Sequence, residues 1–393
     1  MDNRTLAQQL RHLVIFKNLR TEPLVAALAS ALEADAEALP GCVCDLAAEL
    51  YPRNMNLRQA ITTLLLQDDN FCVREAAALR SLPTQAGAWL ARELDILEEA
   101  VAASAALQSP ALPAWELDGE TLSAVYNRML ADAPCLGYGI FSQYHVFSVS
   151  SEGTLIPIEH PDPQQLSELY GYETERQKLV QNTRALLQGL PANNVLLYGD
   201  AGTGKSSTVK ALVNEYKEEG LRLIQVEKSR LRHIPALLDS LSANPLKFIL
   251  FIDDLSFAAD DHDYTALKTV LEGSVTARSS NTVVYATSNR RHLVQETFQS
   301  RQGDEIHISD TLEEVSSLSA RFGIVITFGR PNKDLYLSVV EKLAERAGLQ
   351  LPEETLFKEA EAYALRAGGR SPRVARQYIE YKIAMDCDSS CAK

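Results

Sequence analysis

The sequence predicts an α/β protein: a parallel sheet covered by helices on both faces, a small helical appendage after it, and a mostly helical region before it. Three observations carry this. From about residue 165, nearly continuous apolar runs such as FILFI and VVYAT alternate with amphipathic segments, the pattern of strands buried on both faces and joined by crossover helices. Residues 1 to about 108 place Leu, Ile and Val at three- and four-residue steps, the helical period. Beyond the short strand GIVITFG only helical periodicity remains.

Bulk properties narrow the function classes. A chain of 393 residues with 46% hydrophobic and 23% charged residues is expected to form two or three soluble domains. A formal net charge of -14 argues against wholesale binding of a phosphate backbone, while leaving room for a local basic patch. The six cysteines, at 42, 44, 72, 135, 387 and 391, lack a matching histidine pair or a second CxxC, so they read as reduced thiols. Charges interrupt the apolar patch of the first 22 residues, which therefore reads as neither signal peptide nor span. No window reaches the roughly 18 apolar residues of a transmembrane helix. A cytoplasmic location with no membrane partner is expected.

The elements follow in order. TLAQQLRHLVIF, EPLVAALASALEADAEAL, NLRQAITTLLL and AWLARELDILEEAVAASAAL read as helices, punctuated by Pro40-Gly41 and Pro52-Arg53-Asn54. No repeat of fixed period and no catalytic constellation occurs there, which leaves a structural bundle or a partner-binding domain. YGIFSQYHVFSVSSEGTLIPIEHPDPQQL then reads as one or two strands entering a turn-rich stretch, and a domain junction is placed near residues 150–165. Helix ERQKLVQNTRALLQGL, strand NVLLYGD, a helix from Gly204, strand LRLIQVEK, helix PALLDSL, strand KFILFIDD, helix YTALKTVLEGSV and strand TVVYATSN come next. After GIVITFG come the helices DLYLSVVEKLAERAGL, EETLFKEAEAYALRAG and SPRVARQYIEYKIA. The expected domains are 1–150, a nucleotide-binding core over 165–331, a helical lid over 332–387 and a tail over 388–393.

Chemistry enters with LLYGDAGTGKSST. Gly199, Asp200, Ala201, Gly202, Thr203, Gly204, Lys205 and Ser206 fit G-x-x-x-x-G-K-[ST] completely, between a buried strand and a helix start. Glycines let successive backbone N–H groups curl toward phosphate oxygens, and the helix start adds favourable potential. Lys205 would reach the β- and γ-phosphates of ATP, the Ser206 hydroxyl would ligate Mg²⁺, and Ser207 continues the lining. FILFIDD ends a buried strand in two acids: Asp253 suits the metal, and Asp254 suits the attacking water. Asp254 is one methylene shorter than the more usual Glu, which points to slow hydrolysis or an assisting group. Asn289, ending the strand VVYATSN, is placed to hydrogen-bond the water or the γ-phosphate.

These residues together resemble the AAA+ ATPases, over about residues 165–387. The resemblance puts Asp253 and Asp254 at Walker B and Asn289 at sensor 1. It makes Arg321, in SLSARFG, the arginine finger acting on a neighbouring subunit, although Arg290, Arg291 and Arg301 could fill that role. In GGRSPRVARQYI it makes Arg373 the sensor 2 residue, where the other reading is a helix-face charge paired with an acid. LYGYE resembles the segment lining the adenine pocket, through Tyr170, Gly171 and Tyr172. The segments GYETERQKLVQNT, NNVLLYGDAGTGKSS, DDLSF, LKTVLEG and ATSNRRHL narrow the likeness to an uncharacterised bacterial AAA+ group, one of the domain-of-unknown-function families.

What ATP would drive is less determined. The connection VEKSRLRHIP lacks the aromatic and glycine found in protein-threading AAA+ machines. Its Lys228, Arg230, Arg232 and His233 make it locally basic: either a nucleic-acid contact or a solvated polar loop. SFAADDHDY reads as an exposed acidic loop rather than a metal site. Two functions follow. One is an oligomeric, ring-forming ATPase that remodels or loads a protein or nucleic-acid partner. The other is a nucleotide-gated adaptor or loader in which hydrolysis is slow. A metabolite kinase would need an acceptor site and lid of its own.

Overall fold

Seven strands form one sheet in the order β2-β1-β4-β5-β6-β3-β7, all neighbours parallel except the β1–β2 hairpin. This is a computed structural model, and it describes residues 2–108, 110–255, 267, 271, 280–289 and 321–391, with side chains of the last helix to Met385. The expected helix YTALKTVLEGSV apart from Leu267 and Leu271, the acidic loop 256–264, Arg290, Arg291 and Arg301, and the side chains of Cys387 and Cys391 lie outside the described residues. The chain divides into two units, residues 1–144 with 244–246, and residues 145–243 with 247–393.

The first unit contains α1 (Asn3–Leu10), α2 (Pro23–Glu33), α3 (Leu39–Leu50), α4 (Leu57–Gln67), α5 (Phe71–Ala77), α6 (Thr84–Ala103), α7 (Leu122–Leu136) and the single turn α8 (Ile140–Gln143). Its core gathers one face of each long helix, with Phe16, Leu28, Leu46, Ile61, Leu97 and Tyr126 at 1% exposure or less. Side chains of Asp2, Asn56, Asn70 and Thr121 accept a first-turn N–H and so start α1, α4, α5 and α7. The buried Glu93 carboxylate accepts the N–H groups of Val14, Ile15 and Phe16, which fixes the turn after α1.

Two readings of this region need correction. Pro40-Gly41 does not separate helices; both residues sit in the first turn of α3, where proline lacks only an N–H that would have no partner. The break comes earlier, at the extended Ala34. Helix α7 was not anticipated, although its Thr121 cap and its buried Leu122, Tyr126, Met129 and Ala133 have helical spacing.

The second unit adds β1 (Val146–Val149), β2 (Leu155–Pro157), α9 (Glu173–Leu187), β3 (Val195–Gly199), α10 (Lys205–Tyr216), β4 (Leu221–Gln225), α11 (Ile234–Leu241), β5 (Lys247–Ile252), β6 (Thr282–Ser288) and β7 (Ile324–Phe328). It ends with α12 (Lys333–Arg346), α13 (Glu353–Arg366) and α14 (Pro372–Cys391). The junction expected at 150–165 falls instead between Tyr144 and His145, because β1 belongs to the sheet. It pairs with β4, Leu223 N–H reaching His145 O at 2.9 Å, and so covers what would be an open edge. Helix α14 runs past the expected lid end at 387, since no Gly or Pro interrupts residues 373–391.

Numbered from the strand that precedes the phosphate loop, the five strands β7-β3-β6-β5-β4 run 5-1-4-3-2. Parallel pairing brings the C-terminal ends of β3, β5 and β6 to one edge of the sheet, where α/β proteins bind ligands. Tyr285 on β6, fully buried, locks α9 to the sheet: its hydroxyl meets Asn182 at 3.0 Å and Thr183 at 2.9 Å, and burial pushes its pKa up to about 12. The three terminal helices pack around their own core, including Tyr336, Val340, Ala360, Ala375 and Tyr378. The basic connection after β4 is no open loop. It forms a 3-10 turn, Lys228–His233, anchored by buried Leu231 and running straight into α11.

Candidate nucleotide site

Residues 199–204 leave β3 and enter α10 as a tight loop. Gly199 has φ +137°, and a Cβ there would collide with the Phe328 backbone on β7, so only glycine lets the two strand ends approach. At Gly202, φ +78°, a Cβ would press on Ser371 and Arg373 at the start of α14. The loop is braced from within by Thr203 Oγ1, donating to Asp200 O at 2.9 Å, and from outside by Asp200 N–H, donating to Phe328 O at 3.2 Å. Ala201 stands exposed at its tip.

Lys205 is only 5% exposed. Its ammonium donates to Gly199 O and Asp200 O, each at 2.8 Å, and to Asn289 Oδ1 at 2.9 Å. Burial lowers its pKa, a shift opposed by the carboxylates of Asp200, Asp254 and Asp253 and reinforced by Arg373. One residue on, Ser206 Oγ donates to Asp253 Oδ1 at 2.6 Å, and Ser207 follows in the same first turn of α10. Asp254 has left the strand with φ +52°, and its Oδ1 accepts from Asn289 Nδ2 at 2.8 Å. Lysine, serine, both acids and the asparagine thus form one connected cluster.

The segment Tyr170, Gly171 and Tyr172 lies against the terminal helices. A Cβ at Gly171, φ +76°, would meet Leu335 and Val339 of α12, and Lys342 stands 5.8 Å over the Tyr170 ring. Tyr172 tilts against Phe328 at 5.2 Å and donates its hydroxyl to Gly329 O; burial pushes its pKa up to about 12. Arg373 begins α14 with its backbone N–H on Gly202 O at 3.2 Å and its side chain exposed, beside the phosphate loop.

Arg321 is placed differently. It precedes β7, whose first residue pairs with Val195, while the last, Phe328, pairs with Gly199. Arg321 therefore sits at the end of the sheet away from the phosphate loop, about 13 Å or more along the strand direction. The fold does not bring it to the site of its own chain.

Two contributors escaped sequence reasoning. Thr287 donates to Asp253 Oδ1 at 2.6 Å and accepts Asp254 N–H at 2.9 Å. The signal was available, because it stands two residues before Asn289 and so on the same side of β6. Arg176 on α9 is buried and donates to Leu169 O at 2.7 Å, steadying the start of the segment Tyr170 to Tyr172. Its dependence on a carbonyl seven residues away leaves no mark in the sequence.

The residues present fit Mg²⁺. It is usually held by one or two protein oxygens together with substrate phosphates and water, and one hydroxyl and one carboxylate converge here at 2.6 Å. Among the described residues no group of three or more His, Cys, Asp or Glu could hold a metal by itself. None of their helices is long and apolar enough to cross a membrane.

The strand order, the glycine-cradled loop and the paired acids define a P-loop fold of the AAA+ type. Residues 142–385 match the family described as protein of unknown function DUF815, and the chain belongs to that family. Over 122 residues it is 30% identical to the replication factor C large subunit of Staphylothermus marinus, a match covering 28% of each chain. A single-residue variant of Thermotoga maritima RuvB is 18% identical, with a TM-score of 0.37, over 56% of this chain and 63% of that one. The Thermotoga maritima RuvB described as a Holliday junction branch migration motor gives 18% and 0.36 over 56% and 63%. The chain thus spans under two thirds of the length of each of these proteins.

Proposed function

We propose that the protein binds Mg²⁺–ATP at this cluster and hydrolyses it, working as a cytoplasmic oligomer that remodels or loads a macromolecular partner. The observation that carries the reading is the 2.6 Å hydrogen bond from Ser206 to Asp253. These residues lie 47 positions apart, and a metal-and-phosphate site of the P-loop kind calls for that pairing. Ser206 and Asp253 would hold Mg²⁺, which when bound neutralises charge on the β- and γ-phosphates. Backbone N–H groups of 199–204 and the Lys205 ammonium bind the phosphate chain. Asp254 accepts the proton of the attacking water, and Asn289 holds that carboxylate and the water in line. Tyr170, Gly171 and Tyr172 receive the base. Arg373 senses the phosphates from the lid, whose last helix, α14, is tied at its start to Gly202. Arg321, remote from its own loop, serves the site of a neighbouring subunit.

Phosphate release by purified protein in Mg²⁺–ATP tests the reading, with Lys205→Ala as the control. Release no greater than the control would leave only nucleotide binding. That result belongs to the second reading, a nucleotide-gated adaptor or loader, which is favoured by one feature: Asp254 has a side chain one methylene shorter than Glu. For a nucleic-acid partner the relevant surface is the basic turn Lys228–His233. DNA or RNA that neither binds nor stimulates turnover at low salt would eliminate that class and leave a protein partner.

A further inference from the structure

We propose that Thr287 is the positioning residue for both acids at the end of β5, setting the strength of metal binding without touching nucleotide. The inference rests on the P-loop reading above.

The β5–β6 ladder ends at the pair Ile252↔Ala286. The next rung would join residues 253 and 287, but the backbone at Asp254 has swung into the left-handed region, φ +52°. Thr287 takes over that rung with its side chain. Its Oγ1 accepts Asp254 N–H at 2.9 Å, and its carbonyl accepts Leu255 N–H at 2.7 Å. A hydroxyl has one proton, and here that proton goes to Asp253 Oδ1 at 2.6 Å. The direction of the chain is therefore fixed: Asp254 N–H to Thr287 oxygen, Thr287 O–H to Asp253 carboxylate. Ser206 donates to the same Asp253 oxygen from the other side.

Two hydroxyl protons on one oxygen hold the Asp253 carboxylate in a single orientation. The same hydroxyl holds the turn on which Asp254 stands, while Asn289, two residues along β6, holds the Asp254 side chain. Thr287 is 2% exposed, so water does not readily replace it. Valine has the same shape but neither donates nor accepts; serine keeps the hydroxyl. Geometry at the metal acid should thus depend on the hydroxyl and not on packing at this position.

The test compares Thr287→Val and Thr287→Ser with wild type in two measurements. One is binding of a fluorescent ATP analogue in EDTA. The other is Mn²⁺ affinity, by electron paramagnetic resonance, of protein loaded with a non-hydrolysable ATP analogue. Metal-free nucleotide binding should stay within about twofold in both variants, while Mn²⁺ affinity falls about tenfold in Thr287→Val and recovers in Thr287→Ser. Wild-type Mn²⁺ affinity in Thr287→Val overturns the proposal. So does an equal loss of metal-free nucleotide binding, or failure of serine to restore the metal, either of which makes the role structural. Should the valine variant not fold, Thr287→Ala replaces it in both measurements: a tenfold loss of Mn²⁺ affinity alone supports the proposal, and wild-type affinity overturns it. Wild-type protein that binds no ATP analogue at all refutes the nucleotide site itself, and this inference with it.

Discussion

Lys205 Nζ donates to Asn289 Oδ1 at 2.9 Å, joining the phosphate loop to the end of a strand 84 residues further along. Since Asn289 in turn donates to Asp254, one amide stands between the Lys205 ammonium and the Asp254 carboxylate. Lys205→Ala removes the cation. Nucleotide affinity should fall about 100-fold or more, charge-assisted bonds to phosphate being among the strongest available. Titration with a fluorescent ATP analogue checks this, and affinity near wild type would refute the site.

Asp254→Asn keeps the shape of the side chain but removes the proton acceptor. ATP binding should persist, and turnover should drop by about 100-fold or more. Single-turnover hydrolysis beside equilibrium binding separates the two effects. Unchanged hydrolysis would move the role to another group.

Arg321 lies at the far end of the sheet from its own loop, so under the proposed function it would act on a second subunit. Arg321→Ala and Lys205→Ala proteins should each be inactive. Mixed, they should regain part of the wild-type rate at interfaces that pair an intact loop with an intact arginine. Demonstrably mixed oligomers without recovery would rule out action in trans.

Tyr285→Phe deletes one hydroxyl from the buried cluster with Asn182 and Thr183. Each lost buried hydrogen bond costs about 1–2 kcal/mol, and thermal unfolding should show the α/β unit weakened by that order. An unchanged melting temperature would mean that the two partners find other acceptors or donors.

His145, where β1 begins, has its pKa lowered by burial and by repulsion from Lys217 and Arg222, against weaker support from Asn214 and Glu218. The folded state therefore disfavours the protonated ring. Above the unfolded pKa, about 6.5, both states are neutral and nothing is lost. As pH falls below it, the unfolded chain takes up the proton first and stability declines. Melting temperatures from pH 7.5 to 5 should fall less steeply in His145→Gln than in wild type; parallel profiles would exclude His145 as a source of the decline.

Much was legible in the sequence because local patterns report local physics. The glycine spacing of 199–204 gave the loop; the apolar runs gave β3 to β7; three-and-four periodicity gave most helices. The pair Asp253 and Asp254 and the strand-end Asn289 were readable because a strand that stops in polar residues points them at one sheet edge. Periodicity says which face of an element is buried, but not what lies against it. Hence β1 falls on the other side of the junction from the one its sequence suggests, Pro40-Gly41 mimics a break, and Arg176 carries no local signature of its role.

By itself the sequence determined that this chain carries a glycine-rich loop between a buried strand and a helix start on a parallel α/β core. Only the tertiary structure decided that Ser206 meets Asp253, that Thr287 spans both acids, and that Arg321 stands at the far end of the sheet. The reason is strand order: 5-1-4-3-2 is set by non-local pairing, and hydrogen bonds across it join residues whose separation along the chain leaves no periodic trace.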